Sequence, residues 1–259
     1  MAMRKRITSK DNPVYKDILR LSRKKYRDRE QRYLIEGENL IREAAGCGAP
    51  VRSVLVREGS HFEDILPGEA FVIEQKLFDA AAQTVTSQGI LAIVDKPSYE
   101  PEQIRGAVSG GKNMLVLDRL QDPGNIGTLI RTAEGAGYGL IACIRGTGDV
   151  YAPKVIRAAA GSIFRMPVIQ IRDNEELRDI TSRLEKKLVV TSLDAEQPYY
   201  EADLARDIAL VIGNEGNGVS RELEGMADRK IIIPMEGRLE SLNAAVAGGI
   251  LMYEALRRQ

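Results

Sequence analysis

Six short apolar runs recur through the C-terminal part of this chain and restrict its fold more than any other feature. They are Met114–Asp118, Leu140–Cys143, Val168–Ile171, Leu188–Ser192, Ile208–Ile212 and Lys230–Ile233. Each is four or five residues long and lacks the polar alternation of a half-solvated strand, so each reads as a strand buried on both faces. Helical patterns fall between them near 125–135, 153–161, 174–186 and 219–226, and a last one covers 241–257. Such alternation predicts an α/β domain built on a mostly parallel sheet with helices on both faces. The runs are far too short to cross a bilayer.

The first part of the chain predicts a smaller α/β unit. A helix is expected from near Pro13 to about Arg29, with Val14, Ile18 and Leu21 on one stripe and basic residues around it. Then come Tyr33–Ile35, a helix around Asn39–Ala45, strands at Val51–Val56 and Ala70–Ile73, a helix near Gln75–Gln83 and a strand at Ile90–Val94. Two prolines in Lys96–Pro101 break the pattern. The expected division is therefore 1–96, a linker at 97–111, and 112–259.

The balanced charge, 37 Lys/Arg against 37 Asp/Glu, conceals an asymmetry. Residues 1–32 carry 12 basic and 4 acidic side chains. A basic end on a neutral chain points to a local polyanion contact. Tyr15, Tyr26 and Tyr33 lie among these charges, and cations with aromatic rings suit RNA, whose phosphates and unstacked bases they bind. Arg4, Lys5, Arg6, Arg23, Lys24, Lys25 and Arg27 are the candidate RNA contacts. A solvated basic segment, with the tyrosines covering a helix–sheet seam, is the plainer alternative.

Only Cys47 and Cys143 are present, in different halves, which argues against a disulfide framework or a zinc site and fits a reducing cytoplasm. No apolar signal core follows Met1–Arg6, so secretion and membrane insertion are not expected. The single histidine, His61, lies in the first unit, which disfavours histidine-dependent hydrolysis, and no metal-ligand cluster is visible.

Two glycine-rich strings mislead. Gly106 to Asn113 nearly matches a phosphate-binding loop, but Asn113 replaces the hydroxyl residue and the string precedes a strand instead of following one. Gly213-Asn214-Glu215-Gly216-Asn217-Gly218 has the reverse of the dinucleotide-binding spacing and lies near the chain end.

Three loops that follow predicted strands carry the chemistry. Asp118–Ala133 contains Asp122-Pro123-Gly124-Asn125 and Arg131; Leu210–Ser220 contains the Gly213–Gly218 string; Ile233–Ala245 contains Met235, Ser241, Leu242 and Asn243. Loops at the carboxyl edge of a parallel sheet are where ligands bind, so together they define one candidate pocket.

These three strings resemble the motifs of the SpoU/TrmH family of RNA ribose methyltransferases, within the SPOUT superfamily. The resemblance extends to the first half, where Leu34-Ile35-Glu36-Gly37-Glu38 and Thr86-Ser87-Gln88-Gly89-Ile90 resemble the family's ribosomal-protein-like substrate-binding domain. It implies a C-terminal α/β trefoil knot, knotted over roughly 190–257, a homodimer with its active site near the subunit interface, and methyl transfer from S-adenosylmethionine to a ribose 2′-hydroxyl.

The resemblance also implies roles. Asn125, Arg131, Glu215 and Asn243 are the catalytic candidates. Thr191, Ser192, Ile212, Gly213, Asn214, Gly216, Ile233, Met235, Ser241 and Leu242 are the cofactor candidates. Because arginine stays protonated in proteins, Arg131 is expected to grip phosphate and stabilise a developing alkoxide, not to act as a base. Glu215 is expected to orient Asn or Arg, or to accept a proton. Asn125 and Ser241 are also good helix N-caps. Leu242, Ala245, Val246, Gly249, Ile250, Tyr253 and Leu256 form one stripe of the last helix, and Gly248-Gly249 permits close packing there. Ala159–Arg165 matches the family only loosely, which bears on RNA choice. Ribosomal RNA is the expected substrate. A transfer-RNA ribose methyltransferase and a non-catalytic RNA-binding protein of the same fold are the alternatives, and a base methyltransferase is disfavoured by the Asn125–Arg131 pair.

Overall fold

The computed structural model describes residues 5–60, 62, 68–84, 86–238 and 241–259. Arg4, His61, Leu239 and Glu240 lie outside the described residues. The chain forms two compact units, one running to Ser98 and including Tyr151–Ile156, the other made of Tyr99–Val150 and Arg157–Gln259.

In the first unit the elements are β1 (Lys5–Ile7), α1 (Pro13–Leu21), α2 (Lys24–Glu30), β2 (Arg32–Glu36), α3 (Glu38–Gly46), β3 (Val51–Arg57), β4 (Glu69–Ile73), α4 (Gln75–Ala81) and β5 (Ile90–Asp95). The sheet order is β1-β4-β3-β5-β2, parallel across the first two pairs and antiparallel across the last two. Tyr15, Ile18, Leu21, Leu55, Phe71 and Phe78 belong to its buried core.

Two features depart from expectation. The single helix expected over 13–29 is two helices, because the apolar stripe ends at Leu21 and Arg23 is extended. The buried Arg27 guanidinium donates 2.8 Å bonds to the carbonyls of Leu21 and Ser22, satisfying the end of α1. Residues 5–7, read only as a basic segment, form an edge strand. Ile7 is buried there, while Lys5 and Arg6 pair with Glu69 and Glu58. Charged side chains suit an edge strand, since they discourage pairing with other chains.

The second unit contains α5 (Pro101–Ala107), β6 (Met114–Leu117), α6 (Pro123–Gly135), β7 (Leu140–Ile144), α7 (Pro153–Ala159, straddling the division), β8 (Val168–Ile171), α8 (Asn174–Arg183), β9 (Lys187–Thr191), β10 (Ile208–Ile212), α9 (Arg221–Met226), β11 (Arg229–Ile231) and α10 (Ala244–Arg257). The six strands form one sheet, β11-β9-β10-β6-β7-β8, in which every pairing is parallel. This is the α/β class expected. Met114, Val116, Ala142, Val190 and Val211 share a core with Leu177 of α8 and Leu223 of α9. On the opposite face, Gly248 of α10 lies against Ile212 and Leu129 of α6. Burial on both faces is why the strands read as unbroken apolar runs.

The stretch 97–111 is not bare linker. It contains α5, opened by Pro101 and by a capping box between Glu100 and Gln103. The last helix also differs. It begins after Asn243, whose side chain accepts from Ala245 N and Val246 N, so Asn243 and not Ser241 is the N-cap. It buries Ala244, Ala245, Gly248, Leu251, Met252 and Ala255, leaving Val246, Tyr253 and Leu256 exposed. An apolar helix offers no periodicity from which one face can be chosen, and the expected stripe mostly marks the outer side.

At Gly248 a Cβ would stand 2.3 Å from Leu129 Cδ2, whereas at Gly249 the nearest atom lies 4.0 Å away. Gly248→Ala should therefore destabilise the protein by about 1–2 kcal/mol despite a helix-propensity gain of about 1 kcal/mol. Denaturant unfolding checks this. In the Gly248→Ala background, Leu129→Ala should cost less than it does alone, and equal costs would refute the packing account.

Candidate active site

The carboxyl ends of β9, β10 and β11 open into a cavity of about 510 Å³, a size that holds a small-molecule ligand. All ten residues expected to hold a cofactor line it: Thr191 and Ser192 at the end of β9, Ile212, Gly213, Asn214 and Gly216 at the end of β10, and Ile233, Met235, Ser241 and Leu242 after β11. Glu215 and Asn243 line it as well. The sheet order reverses beside this cavity, between β10 and β6, and open α/β sheets bind ligands near such switch points.

The loop after β10 is closed on itself. Asn214 and Gly218 exchange backbone hydrogen bonds of 2.9 Å, and the Asn214 Oδ1 accepts from the amides of Gly216 and Asn217. Its Nδ2 donates to the Arg119 carbonyl. A Cβ on Gly213 would lie 2.2 Å from the backbone of Gly218 and Val219, so the loop closes only over glycine.

One hydrogen-bond chain joins the three loops. Glu215 Oε1 accepts from Asp122 N at 3.0 Å and Asn125 Nδ2 at 3.1 Å, and Oε2 accepts from Gln121 N at 3.1 Å. Asn125 Oδ1 accepts from Asn243 Nδ2 at 3.0 Å, and Asn243 Oδ1 receives the first free amides of α10. The sense of both amides is fixed, because Glu215 can only accept and the helix N-terminus can only donate. Burial works to raise the Glu215 carboxyl, but the amides of Asp122 and Gln121, with Asn125, outweigh it and hold it below the ordinary carboxylate range. It is an anchored anion, and that favours orientation over proton uptake.

Asn125 is not the helix cap. Asp122 caps α6 by accepting from Asn125 N at 2.8 Å, which frees the Asn125 side chain for the chain of amides. Arg131 stands elsewhere. It lies on α6 six residues after Asn125, about 9 Å along the axis, is exposed, does not line the cavity, and has no hydrogen-bond or ion-pair partner among the described residues.

Sequence reasoning passed over Asp118 and Arg119. Asp118 is buried and accepts from Ser220 N and from Arg119 Nε. Arg119 adopts φ +57°, unusual for a residue with a side chain. Their position at the carboxyl end of a strand, like that of Thr191-Ser192, is the signal by which they could have been found.

Among the basic candidates of the first unit, Arg27 is withdrawn into the cap of α1, and Lys5, Arg6 and Lys24 have acidic partners. Arg23 and Lys25 are exposed and carry no ion pair among the described residues. No group of His, Cys, Asp or Glu among the described residues could hold a metal ion, and no described helix is long and apolar enough to cross a membrane.

Residues 112–253 match the SpoU rRNA Methylase family, and residues 12–92 match the MRM3-like substrate binding domain. The chain is 35% identical over 251 residues to the 23S rRNA (guanosine(2553)-2′-O)-methyltransferase RlmP of Bacillus subtilis (strain 168), covering 96% of this chain and 98% of that one. Among solved structures it is similar to an AdoMet-bound rRNA methyltransferase from Sinorhizobium meliloti, with a TM-score of 0.87, 30% identity, and coverage of 98% and 97% of the two chains. It is also similar to the SpoU methyltransferase AviRb from Streptomyces viridochromogenes in complex with AdoMet, with a TM-score of 0.88, 26% identity, and coverage of 95% and 98%.

Because the folded-state value of Glu215 is depressed, its stabilising bonds are complete above the unfolded-state value and are lost only as pH falls through the lower folded one. The amide resonances of Gln121 and Asp122, followed by NMR during acid titration, should therefore shift with a midpoint below about pH 4.3. A midpoint at or above that value would show that the two amides do not hold the carboxylate. In Glu215→Gln the transition should disappear.

Proposed function

The chain belongs to the SpoU rRNA methylase family, and on that premise we propose that it transfers a methyl group from S-adenosylmethionine to a ribose 2′-hydroxyl of ribosomal RNA. The observation that carries this reading is the chain Glu215–Asn125–Asn243 at the rim of a cavity sized for the cofactor. When bound, the sulfonium of the cofactor supplies an electrophilic methyl group, so the protein's task is alignment.

The residues fit that task. Gly213 brings backbone within reach of a ligand, and Ile212, Ile233, Met235 and Leu242 supply apolar and main-chain surface around it. Thr191, Ser192, Asn214, Gly216 and Ser241 complete the holding set. Glu215 and Asn243 fix Asn125 from both sides, so its amide has one orientation at the rim. Arg131 contributes a permanent cation toward a phosphate or the developing alkoxide.

Arg131 lies outside the cavity, which leads to the assembly. Val246, Tyr253 and Leu256 form an exposed apolar face on α10, and Tyr253 Oη reaches Gly135 of α6, the helix that carries Arg131. A second copy seated on this face buries it and carries Arg131 to the neighbouring active site, giving a homodimer. The stretch 190–257 supplies the trefoil knot, residues 1–96 bind RNA, with Arg23 and Lys25 as the first contacts and Arg4, Lys5, Arg6 and Lys24 as further ones, and the enzyme works in the cytoplasm.

Incubation with labelled S-adenosylmethionine and unmodified ribosomal RNA, followed by digestion to nucleosides, tests the reading. A 2′-O-methylnucleoside is expected, and Arg131→Ala should lower the rate about a hundredfold while leaving cofactor affinity unchanged. A folded protein that binds cofactor and RNA but forms no 2′-O-methyl product would remove the enzymatic reading. A product formed only on transfer RNA would move the substrate.

A further inference from the structure

The carboxyl edge of the six-stranded sheet is divided. Its β11-β9-β10 half forms the cavity, and none of the cavity's lining residues comes from β6, β7, β8 or the segments that follow them. Each strand of that other half is followed by an arginine: Arg119 two residues beyond β6, Arg145 directly after β7, and Arg172 directly after β8. Ile144 pairs with Ile171, which sets Arg145 level with Arg172, and Arg119, turned off the strand path at φ +57°, brings its Cγ within 3.1 Å of where a Cβ on Gly146 would stand, beside Arg145. Parallel strands lie 4.7–4.9 Å apart, so the row is about 10 Å long.

The three side chains are presented to solvent in different degrees of restraint. Arg119 is held most firmly. Its N donates to Thr147 Oγ1, its carbonyl accepts from Asn214 Nδ2, and its Nε binds the buried Asp118 carboxylate, while its side chain remains 50% exposed. Arg145 is exposed, and its side chain has no partner among the described residues. Arg172 bonds Glu176 through Nε and is 79% exposed. The carboxylates in contact with the row are therefore Asp118 and Glu176, each engaging one Nε and leaving the outer nitrogens of the guanidinium available.

We propose that Arg119, Arg145 and Arg172 form a phosphate track that binds the RNA backbone beside the nucleotide being methylated. The proposal rests on the RNA-substrate reading above. Its starting point lies at the reaction site, because Arg119 is bonded to Asn214 of the cavity loop and precedes Gln121, whose amide binds Glu215. From there the row leads away from the methyl donor across two strands. Guanidinium groups suit phosphate, which they bind through paired N–H donors, and such contacts set register on a nucleic acid without reading bases.

The test is binding of an unmodified ribosomal RNA transcript to the full-length protein across a salt series from about 50 to 200 mM. Arg145→Ala should reduce the slope of log affinity against log salt by about 1, and Arg145→Ala with Arg172→Ala by about 2. Affinity of the double variant near 150 mM salt should fall about tenfold. The matching lysine variants should keep the slope, and KM for RNA should rise in the alanine variants while cofactor affinity stays constant. Arg183→Ala, at the end of α8 that returns to the opposite edge, should behave as wild type. An unchanged slope in the double variant, with a wild type that binds and methylates RNA, overturns the track alone. A wild type that binds no RNA overturns both the track and the substrate reading.

Discussion

The Glu215 carboxylate receives hydrogen bonds from three donors on one neighbouring loop, and the geometry of the site follows from that. Gln121 N, Asp122 N and Asn125 Nδ2 all converge on it, so the loop after β10 and the start of α6 are held as one piece. Asn125 passes the constraint to Asn243, which donates to it through Nδ2 and uses its oxygen to accept from the start of α10. Each bond is modest by itself. Their shared direction, from helix amide to carboxylate, is what leaves each side chain only one arrangement.

The parallel sheet makes this convergence possible. Loops distant in sequence reach one edge because every strand points the same way, and the reversal of strand order opens a crevice between them. The same edge then carries two kinds of surface. On one half, glycine and small polar residues enclose a volume; on the other, an arginine follows the end of each of three neighbouring strands.

Much of this was legible in the sequence, and the failures have identifiable causes. The six apolar runs located every strand of the second sheet, since burial on both faces leaves a signal that does not depend on neighbours. The ten expected cofactor residues all line one cavity, because they follow strand ends that a parallel sheet must bring together. Local competition was not legible. Asn125 and Ser241 are sound N-cap residues by type, but Asp122 and Asn243 occupy those positions. The edge strand at 5–7 needed β4 to reveal it, and the two-helix break at 22–23 needed the Arg27 side chain to fold back. The outer face of α10 could not be separated from its inner face in a helix with so few polar residues.

The strand order has a consequence for how such an enzyme changes over generations. In the proposed arrangement, methyl-donor recognition is addressed by β9, β10 and β11, while the arginine row is addressed by β6, β7 and β8. Mutations that redirect the row toward a differently shaped RNA leave the donor cavity's lining untouched. Arg119, bonded to Asn214 and Asp118, is the place where the two halves meet. Drift in target choice is therefore expected at positions 145 and 172 first, with position 119 the last to vary.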